Sequence, residues 1–160
     1  MNAIVIIPAR YASTRFPGKP LVKIGSQSMI QRVYEQAKAA TNNVFVATDD
    51  ERIEAEVAKF GGNCIMTSTE HNSGTDRLAE AISKIPNGMN YDVVVNVQGD
   101  EPFIQVEQIN QLIELFTNPA TQIATLVKPI THSNDIWNPN KPKVVLGNEQ
   151  QALYFSRSPI

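Results

Sequence analysis

Three basic side chains, Arg10, Arg15 and Lys19, follow one short apolar run at intervals of five and four residues, with Ser13 between the first two. A guanidinium grips two phosphate oxygens at once, and a lysine supplies a mobile point charge. A hydrogen bond to a charged group contributes roughly 1.5–3 kcal/mol, so three such contacts can hold a triphosphate. The first 34 residues carry five basic residues and no acid, whereas the other 126 carry nine basic and sixteen acidic residues. The alternative is a solvated surface loop. Position favours the phosphate reading, because the preceding Ala3-Ile-Val-Ile-Ile7 reads as a buried strand and open α/β sheets bind ligands at the carboxyl edge.

A second cluster ends another apolar run, Tyr91-Asp-Val-Val-Val-Asn-Val97, with Gln98-Gly99-Asp100-Glu101-Pro102. Gly99 allows a sharp turn or a close approach. Asp100 offers the hard oxygen donor that Mg²⁺ takes, usually alongside substrate phosphates. The competing role is a cap, by Asp100 or Glu101, for a helix starting near Val106. A third segment, His71-Asn72-Ser73-Gly74-Thr75-Asp76-Arg77, opens a helix whose first amides, with Arg77 behind them, suit a base edge or a phosphate. A loop with a Thr N-cap explains most of it equally well, and His71 reads as a loop residue rather than a general base.

The elements that must position these groups alternate. The spacing predicts a helix after Ser28, with Ser28 and Gln31 as a capping box. A strand follows at residues 43–48, a helix from about Glu51 stopped by Gly61-Gly62, and a third strand at residues 64–67. A helix runs from the third segment to near Pro86. The valine run after Tyr91 predicts a central parallel strand buried on both faces. A helix at residues 106–116 and a strand at residues 122–127 come next. Residues 130–142 read as irregular, and residues 143–155 as a hairpin. The expected fold is a Rossmann-like three-layer α/β/α sandwich with a mainly parallel central sheet, a mixed C-terminal part, and residues 1–160 as one domain.

Composition narrows the function. The chain nets −2 and lacks a broad basic face, which argues against a general nucleic-acid binder. No apolar run reaches the roughly 20 residues of a membrane helix. Cys64 is the only cysteine, so no internal disulfide forms and a cytoplasmic setting is expected. Cys64 reads as packing, Asp49-Asp50 as helix caps or ribose contacts, and Trp137 as a loop anchor. One of Tyr154 and Phe155 is expected to face the core and the other the site edge. A dinucleotide-dependent oxidoreductase is disfavoured because the G-x-G-x-x-G fingerprint is missing.

Together these segments resemble the cytidylyltransferases that activate 3-deoxy-manno-octulosonate (Kdo). The resemblance rests on Ile7-Pro-Ala-Arg-Tyr-Ala-Ser-Thr-Arg-Phe-Pro-Gly-Lys-Pro-Leu21, Ala47-Thr-Asp49, the His71 to Arg77 loop, Asn96-Val-Gln-Gly-Asp-Glu-Pro102, Lys143-Val-Val-Leu146 and Ala152-Leu-Tyr-Phe-Ser-Arg157, in that order. It implies transfer of a cytidylyl group from CTP to Kdo, giving CMP-Kdo and pyrophosphate for lipopolysaccharide synthesis. It assigns Arg10, Arg15 and Lys19 to the triphosphate and Asp100 to Mg²⁺, with Arg10, Lys19 and Asp100 as the catalytic set. Ala9, Ser13, Ser73, Gly74 and Arg77 would face the nucleotide, and Gln98 and Arg157 the sugar acid. The family continues past residue 160 and forms homodimers, so a second metal-binding Asp and most of the sugar pocket are expected elsewhere. This stretch alone is then expected to bind CTP weakly without turning it over. The rival readings are a sialic acid cytidylyltransferase and a non-catalytic nucleotide-binding domain.

Overall fold

A computed structural model describes residues 1–12, 16–71 and 73–160. These form two compact units, Met1–Ala124 and Thr125–Ile160.

The first unit starts with β1 (Ala3–Ala9), whose Ile4, Val5, Ile6 and Ile7 are fully buried, as the apolar run predicts. Next come the two-residue strands β2 (Lys23–Ile24) and β3 (Gln27–Ser28), which pair with each other. Helix α1 (Met29–Ala40) follows, then β4 (Val44–Thr48), α2 (Glu51–Lys59), β5 (Cys64–Met66), α3 (Gly74–Lys84), β6 (Val93–Asn96) and α4 (Val106–Leu115). The parallel sheet has the order β5-β4-β1-β6. Alternation along β1 divides the core. Val5 and Ile7 pack with Ile30 and Val33 of α1, Val57 of α2 and Ile109 of α4. Ile4 and Ile6 pack with Leu78 and Ala81 of α3. That division makes the three-layer α/β/α sandwich. Burying an isoleucine side chain contributes about 1.5–3 kcal/mol, which makes β1 the anchor of both layers.

Local signals set several boundaries. The Ser28 hydroxyl caps α1 by accepting the Gln31 amide, but the Gln31 side chain donates to Glu35 at 2.9 Å instead of closing a capping box. Asp50 caps α2, as its position before a helix predicts. The α2 C-terminus ends in Gly61 at φ +72°, where a side chain is strained. Neither Asp100 nor Glu101 caps α4. That place is taken by Gln105, whose amide donates to Gln108 Oε1 at 2.9 Å. At α3 the cap is Ser73, not Thr75.

Strand β6 departs from the expectation of a central strand. It lies at the sheet edge, and its burial alternates: Val93 and Val95 are buried whereas Val94 is 43% exposed. A valine run records β-propensity as well as burial, and propensity alone does not distinguish an edge from a centre.

In the second unit, a four-residue helix α5 (Asn134–Trp137) lies within the stretch read as irregular. The hairpin is present as β7 (Lys143–Leu146) and β8 (Ala152–Ser156), with Val144 opposite Phe155. Residues 122–127 are not a strand; Ile123 is 91% exposed. A short extended run without a ladder partner has nothing to hold it. Tyr154 and Phe155 are both exposed, and Trp137 is 73% exposed rather than packed as an anchor. The alternation of Tyr154 and Phe155 separates two faces of β8, but neither face is covered.

The edge position of β6 yields a direct expectation. Val95→Thr places a hydroxyl in the α1/α4 layer and should lower stability by about 1–3 kcal/mol, whereas Val94→Thr should stay within about 0.5 kcal/mol of the parent. Urea denaturation of both variants checks it; equal losses would mean that β6 is covered on both faces.

Candidate functional site

Adjacent strands β1 and β6 are where the chain's path reverses, since β4 and β5 extend the sheet on the other side of β1. Loops leaving the carboxyl ends of two such strands diverge and open a crevice, the usual ligand position in open α/β sheets. Here the loops are those carrying Arg10 to Lys19 and Gln98 to Glu101.

Pro8 is the floor on which the site is assembled. A Cβ on Gly99 would lie 2.9 Å from the Pro8 carbonyl oxygen and 3.6 Å from Ala9 Cβ. Only glycine allows β6 to exit so close to β1. The first residue of α3, Gly74, lies on the other side of Pro8, with a Cβ position 3.6 Å from its ring. Three chain segments that are distant in sequence thus meet around one proline. The α3 N-terminus brings first-turn amides, which no helical carbonyl can satisfy.

The charged groups join across this floor. Lys19 Nζ donates to Asp100 Oδ2 at 2.6 Å, with both side chains partly exposed. Arg10 Nη2 donates to the His71 backbone carbonyl, and His71 Nε2 in turn meets the Glu80 carboxylate. Glu80 also pairs with Lys84 at 2.6 Å and accepts the Ser68 amide. The Lys84 contact, then the Ser68 amide and His71, hold the Glu80 carboxyl down to about 2. His71 therefore belongs to the scaffold of the Arg10 grip, in keeping with its reading as a loop residue.

Arg77 is placed differently from a nucleotide contact. Its side chain is wholly buried, with Nη2 donating to Asp49 Oδ2 at 2.7 Å and Nη1 to Thr67 Oγ1. Thr67 Oγ1 itself donates to the Thr48 carbonyl at 3.1 Å. The guanidinium thus ties α3 to the ends of β4 and β5. Among the described residues, Arg77 Nε is the one buried side-chain nitrogen with no partner. Asp49 serves this network rather than a helix cap.

Of the other candidates, Ala9 is buried at the end of β1, and the Ser73 hydroxyl accepts the Asp76 amide at 3.2 Å. Gln98 is exposed and donates to Asn96 Oδ1 at 3.1 Å. Arg157 belongs to the second unit, where it donates to the Pro139 carbonyl at 3.0 Å. The roles given to Ser13 and Arg15 lie outside the described residues. Cys64 is half-buried against the core, and burial pushes its thiol up to about 12, so it is no nucleophile. Sequence reading missed Glu80 and Thr67 because their partners are nine and ten residues away across a loop.

A sequence profile described as cytidylyltransferase matches residues 4–160. The chain belongs to the cytidylyltransferase family. The family expected from the motifs is therefore the one found. Curated relatives include the 3-deoxy-manno-octulosonate cytidylyltransferases of Parabacteroides distasonis, 58% identical over 99% of this chain, and of Thermodesulfovibrio yellowstonii, 53% identical over 100%. The chain spans 64% of the first relative's length and 65% of the second's. Among solved structures, a CMP:2-keto-3-deoxy-manno-octonic acid synthetase complexed with CTP matches with TM-score 0.90 and 44% identity, over 100% of this chain and 66% of that one. A cytidylyltransferase from Leptospira borgpetersenii matches 75% of this chain with TM-score 0.64 and 27% identity, covering 51% of its own. No described helix is long and apolar enough to cross a membrane.

Removing one partner of a buried ion pair strands the other charge at a cost of about 3–5 kcal/mol. Asp49→Ala should therefore destabilise the protein by about 3 kcal/mol, measured by chemical denaturation, although Asp49 lies outside the hydrophobic core. A loss below about 1 kcal/mol would show that Arg77 does not depend on Asp49.

Proposed function

We propose that the protein transfers the cytidylyl group of CTP to Kdo, giving CMP-Kdo and pyrophosphate, a step toward lipopolysaccharide. The observation that carries the nucleotide half of this reading is the Lys19–Asp100 pair, which sets a mobile cation beside a carboxylate between the loops of β1 and β6. The name of the curated 3-deoxy-manno-octulosonate cytidylyltransferases supports Kdo, and the similar solved synthetase complexed with CTP supports CTP. In the reaction the anomeric hydroxyl oxygen of the sugar bonds to the α-phosphorus, the bond to the bridging oxygen of pyrophosphate breaks, and the hydroxyl proton leaves to solvent. No protein nucleophile is required, so alignment and charge neutralisation supply the catalysis.

The donor set suits a divalent cation of a particular kind. Asp100 offers one exposed hard-oxygen ligand, and no cluster of three His, Cys, Asp or Glu residues exists among the described residues. That fits Mg²⁺ that takes its remaining ligands from water and nucleotide phosphates. When bound, the ion would neutralise phosphate charge. On arrival of the triphosphate Lys19 would leave Asp100 for the outer phosphates, and the freed Asp100 carboxylate would be available to hold the cation. Arg10, anchored on the His71 carbonyl, fixes the opposite side of the chain of phosphates.

Lys19→Ala should weaken CTP binding about 10- to 100-fold, the equivalent of one charge-assisted hydrogen bond, while CMP binding changes little. Asp100→Asn should remove the Mg²⁺ dependence of CTP affinity. Isothermal titration with CTP and CMP, with and without Mg²⁺, measures both effects. Equal losses for CTP and CMP, or unchanged Mg²⁺ dependence, would contradict the assignments.

A further inference from the structure

Tyr11, next to Arg10, and Gly18, next to Lys19, lie against each other. The Gly18 amide donates to the Tyr11 carbonyl at 2.9 Å, and Gly18 adopts φ +72°. A Cβ at Gly18 would lie 3.1 and 3.2 Å from two Tyr11 ring carbons and 3.3 Å from the phenol oxygen, so the glycine backbone rests on the hydroxyl-bearing edge of that ring. Arg52 of α2 places its guanidinium carbon 3.2 Å from the ring centroid. Arg52 is itself fixed by Asp50, through Nε to Oδ1 at 2.9 Å and Nη2 to Oδ2 at 2.6 Å, and Asp50 also caps α2. Lys19 begins the short 3-10 turn Lys19–Leu21 immediately after Gly18, with Pro20 buried beneath it.

We propose that Tyr11 is a positioning residue for the triphosphate grip: its ring sets where Gly18 returns and hence how far Lys19 stands from Arg10. The proposal rests on the CTP reading above. Tyr11 neighbours Arg10 in sequence and Lys19 follows Gly18, so the two cations are joined through one peptide–ring–peptide contact. A cation over an aromatic face contributes about 0.5–1 kcal/mol at an exposed site. Arg52 therefore trims the ring's orientation, whereas the ring itself supplies the surface on which Gly18 lies. The role needs an aromatic ring and no hydroxyl.

Titration calorimetry of Mg²⁺-CTP and of CMP against the protein and its Tyr11→Phe, Tyr11→Ala, Arg52→Ala and doubly substituted variants tests the inference, with melting temperatures recorded alongside. Tyr11→Phe should match the parent. Tyr11→Ala should weaken CTP about tenfold and CMP less than twofold, and Arg52→Ala should weaken CTP about threefold. The double variant should be no weaker than Tyr11→Ala, because Arg52 acts through the ring. Additive losses, or a CTP loss matched by CMP, would overturn the proposal. Unchanged CTP affinity in Tyr11→Ala would overturn it too. Failure of the parent to bind CTP would instead overturn the functional reading, and the two failures are thereby distinguished.

Discussion

The site depends on how closely β6 leaves the sheet beside β1. Gly99 passes over the Pro8 carbonyl at a separation no side chain tolerates. That single approach brings Asp100 within reach of Lys19, 81 residues away in sequence, and gives the basic loop an acidic neighbour. Sheet order makes the approach useful, because the chain turns to opposite sides of β1, and ligands of open α/β sheets bind at such a reversal. Glycine at 99 and the strand order are thus one constraint seen at two scales.

Behind the Lys19–Asp100 pair stands a second, buried layer of charge. Arg77, Asp49 and Thr67 link α3 to the ends of β4 and β5, so the helix that presents Ser73 and Gly74 is tied to the sheet by charge as well as by Leu78 and Ala81. Arg10 is held through the His71 carbonyl, whose loop is tied to α3 by Glu80. The two arginines are therefore held in different ways, Arg10 by a backbone carbonyl and Arg77 by the side chains of Asp49 and Thr67. Arg10 is half-buried at the opening, and Arg77 is closed off from it.

Much of this was legible in the chain itself. The apolar run before Pro8, the helix spacing after Ser28 and the Gly61-Gly62 stop gave the layers, because each depends on neighbours close in sequence. The charges around residues 10–19 and 98–101 marked two sides of the site, since acid depletion and a glycine before a carboxylate are local signals. What sequence could not resolve was long-range. Val93 to Val95 spelled a strand without saying that β6 is an edge, and Arg77 read as a ligand because its partner Asp49 lies 28 residues away. The run at 122–127 had strand composition and no partner to pair with. Family membership was carried by the order of motifs, which no single contact could have supplied.

With CTP and Mg²⁺ bound, Lys19 should give up Asp100 for phosphate, and Asp100 should be free to hold the metal ion. A crystal structure with CTP and Mg²⁺ tests it most directly. Lys19 Nζ should lie within about 3 Å of a β- or γ-phosphate oxygen, and Asp100 about 2.1 Å from Mg²⁺. A triphosphate bound elsewhere, with the Lys19–Asp100 pair intact, would contradict it.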